Sequence, residues 1–168
     1  MLTEPGNFQL IIENGEPLEI QIIYTLIDRD ENNNPSFKSY YYQVDSSRYF
    51  YPASTVKLPL CLLALEKINQ LHMDGLNKLT PMYHDSVYAG QKPVREDTTS
   101  ETGLPSVAHY IKKILTVSDN DAFNRLYEFI GQKATNEKLN KKGYHVRFLH
   151  RLDRALSPDQ NRHTEAVR

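Results

Sequence analysis

The stretch "YPASTVKLPLCLLALEKI", residues 51–68, decides the reading of this chain. From Val56 to Leu65 it is apolar except for one lysine, Lys57, three positions after Ser54. Leu58, Leu62, Leu65 and Ile68 recur at helical spacing from about Ser54 onward, and further leucines make the segment apolar nearly all round. A helix of that kind is expected to lie buried between other elements. A lysine is rarely buried without a partner, so Lys57 needs an explanation. On a helix, residues three apart share a face, which puts the Lys57 amine within reach of the Ser54 hydroxyl. Burial and the positive end of the helix both disfavour the ammonium form. A neutral amine can take the serine proton, which is the Ser–Lys form of an activated nucleophile. Free N–H groups at the helix start would favour an oxyanion formed there. An ordinary structural reading stands beside this one. Ser-x-x-Lys is expected about once by chance in a chain of this size, Ser54 serves equally as an N-cap, and Lys57 can reach solvent along its stem.

Upstream, "LEIQIIYTLID" (18–28) alternates, with Leu18, Ile20, Ile22, Tyr24 and Leu26 on one side. "DENNNP" (30–35) is a turn cluster and "SFKSYYYQV" (36–44) a second strand, which together predict an antiparallel hairpin. "FQLII" (8–12) is too short to assign. An isolated hairpin is not independently stable, so these strands must pack on helices or join further strands. Downstream, residues 73–104 are loop-rich. Helices are predicted over 105–115, with Ser106 near the start, over 121–131, ended by Gly131, and over 134–143. The class is therefore α+β, with residues 1–50 as an N-terminal hairpin segment and 51–168 as an all-α domain.

The 168 residues fit one domain, or one domain and part of another. Hydrophobic residues are 39%, charged residues 24% and the formal net charge −1, which gives no argument for a nucleic-acid partner or a membrane surface. The basic run 138–151 reads as a solvated face. No signal peptide or membrane span is visible, and oligomeric state is not legible. The lone Cys61 cannot pair within the chain and reads as core filler. The six histidines lack metal-ligand spacing with Cys or acidic residues, so no metal site is expected.

A second signal is "TVSDNDAFNRLYEFIG" (116–131). Ser118, Asp119 and Asn120 lie between two predicted helices, where such residues are ordinary linkers and N-caps. The tripeptide is nevertheless expected only a few times in roughly a hundred chains of this length. A hydroxyl and an amide held there can relay a proton and hold a substrate carbonyl.

Taken in order, "ASTVK" (53–57), "SDN" (118–120) and "HRLDR" (150–154) resemble the penicillin-recognising serine hydrolases, in particular the class A β-lactamase branch. "YFYPASTVKLP" (49–59) and "SDNDAFNRLYEFIG" (118–131) look closest to a group of class-A-like serine hydrolases, and the resemblance covers roughly residues 18–160. It implies that the hairpin forms the first two strands of that family's sheet and that "HRLDR" begins its omega loop. It implies Ser54 as the acylated nucleophile and Lys57 as general base, or part of the relay activating it. Ser118 would carry the proton towards the leaving nitrogen, Asn120 would bind the substrate amide and help position Lys57, and Asp119 would hold the loop. The substrate would be a β-lactam or a peptidoglycan-type amide, on the periplasmic or extracellular side, with no metal or organic cofactor.

The pattern also departs from that family. No Lys-Thr-Gly follows the omega-like segment, so the C-terminal sheet strands are expected to be missing and the chain to be a fragment with weak or no activity alone. The family's deacylating glutamate falls two residues after "RLDR", where this sequence has Leu156; Asp159 and Glu165 are the candidate substitutes. Arg154 matches an arginine tied to a later aspartate, and no aspartate follows Asp159, so that tie is expected to be absent. Tyr83 and Tyr88 both lie where an aromatic often borders the cleft. Three other readings stay open: a D-alanyl-D-alanine peptidase or penicillin-binding protein, which would keep its acyl group; another esterase or amidase of the same superfamily; and a non-catalytic module that retains an enzyme's shell.

Overall fold

A computed structural model describes residues 5–88, 91–164 and 167. The chain divides into two compact units, Met1–Tyr51 and Pro52–Arg168.

The first unit holds a helix, α1 (Pro5–Asn14), and two strands, β1 (Ile22–Arg29) and β2 (Pro35–Tyr42). The run left unassigned at 8–12 is thus helical. Proline at a first helical position is pre-set for that role, and Gln9 donates to Glu13 one turn on at 2.7 Å. Gly15 ends this segment at a close approach. A Cβ there would lie 2.7 Å from the Ile11 carbonyl oxygen and 2.9 Å from the Tyr42 hydroxyl. The strands pair antiparallel from Ile22 opposite Tyr42 to Arg29 opposite Pro35. Their loop is folded around Asp30, whose carboxylate accepts from the Asn32 and Asn34 N–H groups and the Asn34 side chain. The alternation over 22–26 holds, but the sheet is not apolar on one side only. Ile23, Ile27, Phe37 and Tyr41 form a second apolar face, and both faces are largely exposed.

The second unit is helical. A single 3₁₀ turn (Ala53–Val56) leads into α2 (Lys57–Leu71), followed by α3 (Val107–Val117), α4 (Asn120–Ile130), α5 (Gln132–Lys141) and the short α6 (Pro158–Arg162). Ser106 caps α3 through the His109 N–H, as its position predicts. Gly131, at φ 92°, makes the break between α4 and α5 in a region that favours glycine. The core is built on α4. Ala122, Phe123, Leu126, Tyr127 and Ile130 recur at helical spacing and pack with Leu60, Leu63 and Ala64 of α2 and Tyr110 and Ile114 of α3. Cys61 lies in this core, and burial pushes its thiol up to about 11, consistent with a filler. One expectation for α2 fails: Leu58 and Leu62, one turn apart, are 53% and 59% exposed, so this face of the helix is not covered. Among the described residues the only sheet is the two-stranded hairpin, and no helix is long and apolar enough to cross a membrane. The architecture is mixed α+β.

Candidate active site

Lys57 is the first residue of α2 and only 2% exposed. Its Nζ donates to the Ser118 carbonyl oxygen at 2.5 Å, to Ser118 Oγ at 2.9 Å and to Asn120 Oδ1. All three N–H bonds of an ammonium are thereby used. Burial lowers the Lys57 pKa below the usual lysine value, and the negative charges of Asp119 and Asp153 pull against that shift. The lysine is thus poised nearer to neutrality than a surface lysine.

The turn that receives Lys57 is made by the junction of α3 and α4. Ser118 closes α3 in the left-handed region, at φ 54°, with its N–H on the Ile114 carbonyl. Asp119 then caps α4 by accepting from the Ala122 N–H at 2.8 Å, and its other oxygen pairs with Lys113 at 3.4 Å. Burial alone would raise the Asp119 carboxyl; the Ala122 N–H and Lys113 outweigh it and hold the group below its ordinary value. Lys113 also pairs with Asp97, which in turn binds His109 at 3.0 Å. Asp119 is therefore structural, and it is one of the two charges acting on Lys57.

Ser54 sits inside the 3₁₀ turn rather than at a helix cap, and its side chain is exposed. No side-chain cap bond is formed there; the only hydroxyl engaged in this turn is that of Thr55, which donates to the Pro52 carbonyl. The Lys57 N–H donates back to the Ser54 carbonyl, a 3₁₀ bond. In that geometry the side chains at i and i+3 eclipse, so Ser54 stands over Lys57 on one side of the turn. No hydrogen bond joins Ser54 Oγ to Lys57 Nζ, contrary to the sequence expectation. Three oxygens of the 118–120 turn compete for the amine and take all its donors. Lys57, Ser118 and Asn120 are brought together; Ser54 is their neighbour through the turn.

Asn120 has a second contact that the sequence did not point to. Its Nδ2 donates to the carboxylate of Asp153. The segment around Asp153 is laid along one polar side of α4. Arg151, 1% exposed, binds Glu128 at 2.8 Å and the Gln160 and His163 carbonyls. The Leu152 N–H and C=O both bond the Asn124 side-chain amide, at 2.7 and 2.8 Å. Arg154 pairs with Asp121 at 2.6 Å. The aspartate that Arg154 meets is thus an upstream one on α4, which the sequence reading did not consider. Asp153 itself has φ 51°. Left-handed backbone is uncommon outside glycine and costs about 1–3 kcal/mol per residue. Ala53, Ser118 and Asp153 all adopt it, and each is at this site or next to it.

The remaining expectations separate cleanly. Asp159 lies in α6 and pairs with Arg162 and His163, not with the cluster. Glu165 lies outside the described residues. Tyr88 stacks on His163 at 4.2 Å and Tyr83 faces Arg95, so neither ring bonds the cluster. Among the described residues no group of His, Cys, Asp and Glu could hold a metal ion. A cavity lined by Gln132, Asn136, Tyr144 and Arg147 contains none of the clustered residues.

Compared with known proteins, residues 14–166 match a model of the beta-lactamase enzyme family. No curated protein and no solved structure matches the chain.

Proposed function

Because the chain belongs to the beta-lactamase enzyme family, we propose that it is a serine hydrolase in which Ser54 attacks a small amide and is acylated. The observation that carries this reading is the buried Lys57 amine, held by Ser118 and Asn120, with the exposed Ser54 three residues before it in the same turn. Exposure lets Ser54 reach a substrate carbonyl. Burial lowers the Lys57 pKa from the usual lysine value, which favours a role as proton acceptor. The Ser54 proton passes to Lys57, and Ser118 Oγ, bonded to the same nitrogen, delivers a proton to the leaving nitrogen. Asn120 fixes Lys57 and, in this reading, also bonds the substrate amide. The chain corresponds, in this reading, to the hairpin and helical parts of a class A β-lactamase-like fold.

The substrate class is a β-lactam or a D-alanyl peptide amide, encountered on the periplasmic or extracellular side. Leu156 at the position of the family's deacylating glutamate supports the peptidase reading as the alternative. Labelling by a fluorescent penicillin tests the nucleophile. The wild-type protein, denatured soon after mixing, is expected to carry a covalent label and Ser54→Ala to carry none; equal labelling of both proteins would refute Ser54. Steady turnover of a penicillin separates a lactamase from a peptidase, which instead releases D-alanine from a D-alanyl-D-alanine peptide. A protein that does neither and takes no label is a non-catalytic module.

A further inference from the structure

We propose that Asp153 is the base that activates water against the acyl-enzyme, a role resting on the reading of Ser54 as nucleophile. Hydrolysis of a serine ester needs a proton acceptor for the attacking water, and Leu156 has none to offer. The other described carboxylates near the omega-like segment are engaged elsewhere. Glu128 is buried against Arg151, Asp121 faces Arg154 and Arg125, and Asp159 pairs within α6. Asp119 is committed to the α4 cap and Lys113. Asp153 differs. It is exposed, so water can reach it, and its one hydrogen bond among the described residues is from Asn120 Nδ2. A carboxylate has about four acceptor sites, which leaves room for a water. Asn120 places it two hydrogen bonds from the Lys57 amine, and Lys57 is one turn from Ser54.

The backbone supports a positioned group. Asp153 holds a left-handed φ of 51°, fixed on one side by the double bond of Leu152 to Asn124 and on the other by Arg154 on Asp121. An acceptor needed only to orient Asn120 requires neither a charge nor solvent access. In the proposed step the water oxygen bonds to the ester carbonyl carbon as a water proton passes to the Asp153 carboxylate. The tetrahedral intermediate then collapses, the bond from carbon to Ser54 Oγ breaks, and the proton returns to that oxygen. The product acid leaves with both enzyme groups restored.

Asp153→Asn is the discriminating variant. Asparagine tolerates left-handed backbone well, and its carbonyl oxygen can still accept from Asn120. Each protein is incubated with benzylpenicillin and its intact mass followed over time. The wild type is expected to gain the penicillin mass and then lose it. Asp153→Asn should gain it at a rate within a few-fold of wild type and lose it at least ~10²-fold more slowly, the usual scale for a missing general base. Asp153→Glu, which restores a carboxylate, should clear faster than Asp153→Asn. Clearance of Asp153→Asn at the wild-type rate overturns the proposal, and so does an equal slowing of formation and clearance, which marks a positioning role. A wild-type adduct that never clears also overturns it. Absence of any wild-type adduct instead overturns the Ser54 reading, and this role with it.

Discussion

At the scale of single residues, the site turns on how a lysine is kept inside an apolar helix. Lys57 is tolerated because the 118–120 turn offers three oxygens to its three N–H bonds. Lys57→Ala removes the base and leaves those oxygens next to an exposed serine, where water can reach them. Acylation by a penicillin is expected to slow by ~10²–10⁴-fold with the circular-dichroism spectrum unchanged; near-normal labelling rates would count against its role. His84 gives a separate, purely structural prediction. It is fully buried, its Nε2 meets the Arg125 carbonyl at 3.1 Å, and its Nδ1 has no hydrogen-bond partner among the described residues. Burial lowers its pKa to about 4; the bond to the Arg125 carbonyl, Asp121 and Asp85 oppose this, and the Arg125 positive charge adds to it. An unfolded histidine binds its proton near pH 6.5. Between those values the unfolded state holds more protons, so stability is complete above about pH 6.5 and is lost as pH falls towards 4. The loss is on the order of 3 kcal/mol, read as a falling urea midpoint over that window. His84→Gln should flatten the curve there; an unchanged curve would show that His84 does not set it.

At the scale of elements, α4 does two jobs with two faces. Its apolar positions face α2 and α3, and Asn120, Asn124 and Glu128, spaced one turn apart, bind Asp153, Leu152 and Arg151. The site therefore depends on a segment that has little regular structure of its own between residues 144 and 157. Asn124→Ala frees both backbone groups of Leu152 at once. It is expected to cost about 2–3 kcal/mol, since an unsatisfied buried polar group costs about 1–3 kcal/mol. It should also slow adduct clearance more than adduct formation, because Asp153 follows Leu152 directly. Urea denaturation and the timed mass measurement check both parts; loss of stability without an effect on clearance would detach Leu152 from the function of Asp153. The helices around this site were legible because their apolar positions are periodic and their ends carry Ser106, Asp119 and Gly131. The partner of the polar stripe was not. Nothing local marks Asp153 as the group that meets Asn120, 33 positions away in sequence. For the same reason Arg154 was read against later aspartates only, when its partner lay upstream on α4. The Ser–Lys spacing pointed to a bond between the two side chains that the structure does not show, because a motif read alone leaves out the oxygens that compete for the amine.

At the scale of the whole molecule, both units expose large apolar side chains. The hairpin presents Ile23, Ile27, Phe37 and Tyr41 at 58–67% exposure, and α2 presents Leu58 and Leu62. Contiguous exposed apolar surface marks interaction sites or aggregation liabilities, and a lone hairpin is marginal in water. The isolated 168-residue chain is accordingly expected to self-associate at micromolar concentrations in sedimentation velocity. Ile27→Thr combined with Leu62→Gln should shift it towards monomer, and a wild-type chain that sediments as a monomer at every concentration would contradict this. Sequence alone carried the α+β class and the hairpin, since period-2 and helical patterns sit in separate segments. The helix at Pro5–Asn14 was lost because a five-residue apolar run fits either period. The exposed side of α2 was missed because an apolar helix says that cover is needed, not that the described residues supply it.

The central claim is that Ser54, served by Lys57, forms an acyl-enzyme. The most direct test is the intact mass of the wild-type protein and of Ser54→Ala after incubation with benzylpenicillin, with the modified peptide then mapped. The account predicts a gain of one penicillin mass on the peptide containing Ser54 and no gain in the variant. No gain in the wild type, or an equal gain in Ser54→Ala, would contradict it.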